Sequence, residues 1–153
     1  MLVEVFPDLR FKLITWFGGF HGTVLRLSSG KLMHSLMGLN MLLLSTKGRR
    51  TGRFRDTPLL YLKDEDRYYC VASFGGNDRH PQWFLNLIEH SNVTLSIRGR
   101  HVRAKAKLAS ANERDQAWNT LIDYYPPFAK YQERTARSIP VIAFLPLEES
   151  NEG

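Results

Sequence analysis

The sequence predicts an α+β domain, mainly β, in which about six antiparallel strands close into a barrel with helices at its periphery. Three observations carry that prediction. Val93, Leu95 and Ile97 alternate with Thr94, Ser96 and Arg98, and Val102, Ala104, Ala106 and Leu108 alternate with Arg103, Lys105 and Lys107. Two period-two runs around Gly99 read as an antiparallel hairpin with one buried face. The strand-like runs also succeed one another without helical patterns regularly between them, which argues against parallel βαβ units. Last, 153 residues with 43% hydrophobic and 24% charged content suffice for one core without metal or disulfide staples.

Taken in order, residues 1–38 read as a helical segment packed on or near the barrel. Phe6, Leu9, Leu13, Trp16, Phe17 and Phe20 recur at three- and four-residue spacing, and Gly18-Gly19 marks its end. An aromatic stripe with basic flanks also suits a membrane surface. The location expected is therefore cytoplasmic, with peripheral contact at the inner face of the membrane as the further reading. No uncharged apolar run reaches transmembrane length, and no cleavage-site pattern follows an apolar core.

Residues 39–147 carry the barrel, and 148–153 are a tail. Leu39 to Thr46 and Arg55 to Lys63 read as strands, Asp64-Glu-Asp66 as a tight turn, and Tyr68 to Ser73 as a third strand. Pro81 suits the first turn of a helix carrying Trp83, Phe84, Leu87 and Ile88. After the hairpin, Ser110-Ala-Asn-Glu113 has the pattern of a capping box, and Ala117, Trp118, Leu121, Ile122 and Tyr125 form one helical stripe. Pro126-Pro127 stops that helix and can start a short one through Tyr131. Ile139 to Leu145 is the last strand, with Pro140 at its start.

Between the first two strands lies Lys47-Gly-Arg-Arg-Thr-Gly-Arg-Phe-Arg55, in which five of nine residues are cationic. A glycine-punctuated turn can aim several N–H groups into one concavity, and arginine adds bidentate donors. A basic hairpin tip can equally be a solvated loop. Five mutually repelling cations with no acid before Asp56 favour a site for phosphate or carboxylate. The net charge is +6, so this one turn supplies much of the excess.

Other chemistry is poorly supplied. Cys70 is the only cysteine, which excludes an internal disulfide and fits a reducing compartment. The five histidines show no HxxxH or HExxH spacing, so no metal is expected. No GxSxG, Walker-type GxxxxGK[ST] or GxGxxG is present. An anion site, a Ser-Phe-Gly-Gly loop and many aromatics remain, the constituents of a pocket for a planar cofactor with an acidic tail.

Five ordered blocks also carry a resemblance. Leu-Leu-Ser-Thr-Lys-Gly-Arg-Arg-Thr-Gly (43–52), Thr-Pro-Leu-Leu-Tyr-Leu (57–62), Val-Ala-Ser-Phe-Gly-Gly (71–76) and His-Pro-Gln-Trp-Phe-Leu-Asn-Leu (80–87) are followed by Tyr-Tyr-Pro-Pro-Phe-Ala-Lys-Tyr-Gln-Glu-Arg-Thr (124–135) with Ser-Ile-Pro-Val (138–141). Together they resemble the deazaflavin-dependent nitroreductase family, split-β-barrel, FMN-binding-like proteins that bind coenzyme F420. The resemblance covers residues 40–146.

It implies an oxidoreductase that passes hydride from the reduced deazaflavin to a conjugated acceptor such as a quinone or nitroaromatic. It places the phosphate and acidic tail on Arg49, Arg50, Thr51 and Arg55, with Asp56 beside them. The ring would lie against Thr57, Pro58, Leu59 and Leu60, with Val71, Ala72, Ser73 and Phe74 along its edge. Gln82, Trp83, Phe84, Leu85 and Asn86 would close the site, although helical spacing alone makes Trp83 a core residue. The acceptor would stack near Ser73, Tyr125, Phe128 and Tyr131, with Phe128 also counted among the cofactor-binding residues. Members that reduce nitroimidazoles have Tyr where Phe128 stands and Lys where Phe74 stands, so a quinone fits this chain better. The alternatives are an FMN-binding flavoprotein of the same barrel, a cofactor carrier without turnover, or a barrel binding single-stranded nucleic acid. The clustering of cations in one turn argues against the last. A small-molecule substrate, no nucleic acid, and a monomer or homodimer are expected.

Overall fold

The computed structural model describes residues 39–148. Seven strands, β1 (Met41–Lys47), β2 (Phe54–Leu60), β3 (Leu62–Asp64), β4 (Arg67–Val71), β5 (Asn92–Ile97), β6 (Arg100–Leu108) and β7 (Val141–Pro146), form one sheet in the order β2-β1-β5-β6-β7-β4-β3. Every neighbouring pair is antiparallel. Three helices accompany it: α1 (Gln82–Glu89), α2 (Ala111–Tyr124) and α3 (Pro127–Glu133). The N-terminal helical segment predicted from Phe6 to Phe20, and any membrane contact through it, lie outside the described residues.

The run predicted as one strand from Arg55 to Lys63 is two strands that break at Tyr61. β2 and β3 stand at opposite ends of the sheet order, yet a single residue joins them. The sheet must therefore curl until its edges meet, which makes a half-barrel out of seven strands rather than six. The Tyr61 N–H at the corner donates to the Asn40 carbonyl at 2.9 Å. Pro58 can stand within β2 because β2 is an edge strand, where a missing ladder N–H is tolerated.

Period-two alternation sorts the side chains onto two faces. Leu42 and Leu44 of β1, Leu95 of β5, and Ile142 and Phe144 of β7 are fully buried on the inner face, where Trp83, Phe84 and Leu87 of α1 pack against them. Each such side chain contributes about 1.5–3 kcal/mol by leaving water. Cys70 belongs to this core, and burial pushes its thiol far above the usual range, so it is inert packing. On the outer face, Tyr69, Val71, Val141 and Ala143 are covered by Leu121 of α2 and by Phe128 and Tyr131 of α3. Met41 and Leu43 form a smaller outer cluster with Leu39 and Leu60.

The local signals act as read. Arg98 and Gly99 take φ of 49° and 82°, the left-handed pair of a two-residue hairpin turn between β5 and β6. The Ser110 hydroxyl accepts from the Glu113 N–H and the Glu113 carboxylate accepts from the Ser110 N–H, closing the capping box of α2. α2 ends before Pro126, and Pro127 opens α3.

Candidate active site

Where the two outer clusters approach each other, they leave a half-open cleft of about 110 Å³. Leu39, Met41, Pro58, Leu59 and Leu60 line one side; Val71, Ser73, Tyr125 and Phe128 line the other. The topology creates it. Pro58 and Leu60 share a face of the edge strand β2, while Val71 ends β4 and Ser73 follows it at the other side of the curl. Tyr125 and Phe128 come from the α2–α3 corner, their rings 4.9 Å apart and edge to face. Among the described residues, Ser73 and Tyr125 bring hydroxyl groups to these walls.

At the other end of β2 stands the basic turn. Gly48 donates to the Arg53 carbonyl, and Gly52 donates to the Gly48 carbonyl, both at 2.8 Å. A Cβ on Gly48 would stand 2.9 Å from the Arg53 carbonyl oxygen, and Gly52 has φ +68°, so both positions require glycine. Arg50, Thr51, Arg53 and Arg55 are exposed. Arg49 differs from them. Its backbone N–H and its Nη1 donate to Asn86 Oδ1 at 3.2 and 3.1 Å, and Nη1 also reaches Gln82 Oε1 at 2.9 Å. Buried Asn86 donates in turn to Thr46 Oγ1 at 3.4 Å. Arg49 thereby ties the turn to α1.

A third piece is the segment after β4. Phe74, Gly75 and Gly76 have φ of 46°, 65° and 80°, three successive left-handed residues. A Cβ on Gly76 would stand 2.5 Å from the Tyr131 carbonyl oxygen, so the segment lies tight against α3. Arg137 holds it from behind. Its Nη2 donates to Ser73 O at 2.8 Å and Ala72 O at 3.2 Å, its Nη1 to Ala72 O at 3.3 Å, and its Nε to Asn77 O at 2.8 Å. Nη1 also stands 3.3 Å from His80 Nδ1. Burial, and then the Arg137 charge, lower the His80 pKa, so the neutral ring is the form that accepts.

Of the residues singled out in the sequence, the structure brings Pro58, Leu59, Leu60, Val71, Ser73, Tyr125 and Phe128 together in the cleft. Arg50, Thr51 and Arg55 gather at the turn, with Asp56 and Thr57 on the strand between turn and cleft. Gln82 and Asn86 meet the turn through Arg49. Trp83 and Phe84 pack in the inner core instead, with Leu85 against them, and Ala72 is fully buried there. Tyr131 stands behind Phe128, ring centroids 6.3 Å apart, at 3% exposure. Phe74 is 55% exposed beside Ser73. Sequence reasoning passed over Leu39 and Met41, which read as ordinary strand residues, and Arg137, whose partners are backbone carbonyls about 60 positions away. Among the described residues, no group of three or more His, Cys, Asp or Glu could hold a metal ion.

A curled antiparallel half-barrel with an apolar cleft and a cationic turn on one edge strand defines a split-barrel oxidoreductase that works through an organic cofactor. The family model for F420H(2)-dependent quinone reductases matches residues 20–146, and the chain belongs to that family. It is 33% identical over 126 residues to an F420H(2)-dependent quinone reductase of Mycobacterium tuberculosis (strain ATCC 25618 / H37Rv), covering 80% of this chain and 85% of the relative. A solved F420-H2 dependent reductase, FDR-A, superposes with TM-score 0.64 at 31% identity, covering 69% of this chain and 93% of that one. A solved structure described as a domain-swapped dimer superposes with TM-score 0.65 at 29% identity, covering 81% and 94%.

Proposed function

We propose that this chain holds reduced coenzyme F420 along β2 and passes its hydride to a quinone seated against Tyr125 and Phe128. One observation carries the reading: a single edge strand has an apolar cleft at one end and a cluster of exposed cations at the other. At about 3.3 Å per residue, Arg55 and Leu59 are roughly 13 Å apart along the strand. A ligand that satisfies both ends must be flat and apolar at one end and multiply anionic at the other. F420, with its deazaflavin ring, phosphodiester and oligoglutamate tail, has that form. FMN has one phosphate and would leave most of the five cations of residues 47–55 unmatched.

When bound, the cofactor supplies hydride from C5 of its ring, and the protein supplies position and exclusion of water. Pro58, Leu60 and Val71 would cover one part of the ring and keep water from it. Arg50, Arg53 and Arg55 would meet the anionic end with charge-assisted hydrogen bonds. Arg49 would act by holding the turn on α1, since its Nη1 is already committed to Gln82 and Asn86. The Ser73 hydroxyl would donate to the negative charge that develops on an acceptor oxygen.

Titration of wild-type protein with F420 and with FMN tests this. F420 is expected to bind at least about tenfold more tightly, a difference of about 1.4 kcal/mol. Tighter FMN binding would make the chain a flavoprotein of the same fold, and salt-sensitive oligonucleotide binding without F420 binding would make it a nucleic-acid barrel. F420 binding without oxidation by any acceptor would make it a carrier. We further propose a cytoplasmic location with the inner membrane face contacted through residues 1–38. Among the described residues no helix is long and apolar enough to cross a membrane. Loss of vesicle flotation on deleting residues 1–38 is the expected result. For assembly we propose a homodimer, in line with the domain-swapped relative, to be measured by light scattering.

A further inference from the structure

We infer that Arg137 is a positioning residue for the cleft: its guanidinium holds residues 72–77 in a strained left-handed turn that sets Ser73 in the wall and keeps the Phe74 ring exposed beside it. The inference rests on the proposed acceptor site for its activity arm, but its geometry stands independently.

Phe74 is the anomaly. A bulky non-glycine residue with φ of 46° is uncommon, because its Cβ crowds the carbonyl in the left-handed region. Its ring is 55% exposed, so no deep packing compensates for that conformation. Something else must hold it, and strain of this kind gathers where a side chain has to be presented to a ligand. The holding group is visible. All three guanidinium nitrogens of Arg137 donate to the segment, reaching the carbonyls of Ala72, Ser73 and Asn77 on either side of the left-handed run. Arg134 adds a bond from Nη1 to the Gly75 carbonyl at 3.4 Å.

The arrangement demands a fork. Carbonyls at positions 72, 73 and 77 do not converge on one point, so a planar guanidinium can bridge them while a lysine ammonium cannot. Charge alone does not account for it, because burial lowers the Arg137 pKa and the nearby Asp78 only partly offsets that cost. Thr135 Oγ1 donates to Asp78 Oδ1 at 2.8 Å, which anchors the far end of the segment to the same strand approach. Ser73 is thus fixed from its own carbonyl while its side chain remains at the cleft.

The test uses Arg137→Lys, which keeps the charge and removes the fork. In cofactor-free protein, amide hydrogen exchange at residues 73–77 is expected to quicken at least about tenfold, with β1, β5 and β6 unchanged. With F420 bound, the cofactor dissociation constant should move less than about threefold, because the basic turn is untouched, while kcat/KM for a soluble quinone falls at least about tenfold. Unchanged exchange at 73–77, or quickening spread evenly over the sheet, would overturn the inference. Phe74→Gly decides the question if Arg137→Lys does not fold. Added to Arg137→Lys, it relieves the strain that the fork no longer holds, so the double variant is expected to fold and to melt at least about 2 °C above Arg137→Lys, whereas in wild type the unfolded-state cost of glycine opposes such a gain. A glycine that lowers the midpoint equally in both backgrounds would overturn the inference. Failure of wild-type protein to bind F420 would sink the proposed function, while the exchange measurement would still decide the role of Arg137.

Discussion

Two arginines adjacent in sequence do different work. Arg50 is exposed at the tip of the turn, whereas Arg49 spends its Nη1 and its backbone N–H on Gln82 and Asn86. The pair Arg50→Ala with Arg55→Ala should therefore weaken F420 binding about a hundredfold, taking about 1.4 kcal/mol per lost contact, and leave thermal stability alone. Arg49→Ala should lower stability as well, by about 1 kcal/mol, because it removes the Nη1 donor from the buried Asn86 Oδ1, which keeps only the backbone N–H of residue 49. Urea unfolding beside a cofactor titration separates the two cases. An Arg49 variant of normal stability would mean that the link to α1 is incidental. Phe128→Tyr acts at the other end. It lies at 6% exposure in the cleft wall, so the added hydroxyl should change turnover of a nitroaromatic while F420 affinity stays within about threefold.

At the scale of elements, His80 couples the segment after β4 to pH. Its folded pKa lies below the ordinary 6.5, so the fold favours the neutral ring whose Nδ1 faces Arg137. The charged group that acts on it is Arg137, itself near Asp78, and Phe84 of α1 packs against the ring. The stability it contributes is complete above pH 6.5 and is lost as pH falls from there toward the lowered folded value. Thermal midpoints measured from about pH 8 down to about pH 5 should fall on the acid side, and more shallowly in His80→Asn; identical slopes would remove His80 from the account. Most elements were legible because their signals are local: the alternation around Gly99, the Ser110 capping box, the proline pair before α3. The break at Tyr61 was not. Thr57-Pro-Leu-Leu-Tyr-Leu62 is one apolar run with nothing to interrupt it after Pro58, and the corner exists because the curl carries the chain from one sheet edge to the other. The same non-local cause hid Met41 and Leu39 in the cleft wall. It hid Arg137 too, whose guanidinium bonds cross to a distant loop.

For the whole molecule, the division of labour along β2 is the claim that matters. Cations at one end and apolar walls at the other should respond differently to salt. Raising ionic strength from 0.1 to 1 M shortens the screening length from about 10 to about 3 Å, so F420 affinity should fall while the KM of a neutral quinone changes little. The net charge of +6 acts in the same direction on approach of an acidic cofactor. The most direct measurement is the oxidation of reduced F420 by a soluble naphthoquinone, with and without the protein, in the presence of excess FMN. The account expects protein-dependent oxidation that continues through many turnovers, persists with FMN present, and weakens with Arg50→Ala and Arg55→Ala combined. No protein-dependent oxidation, or activity abolished by FMN, would contradict it.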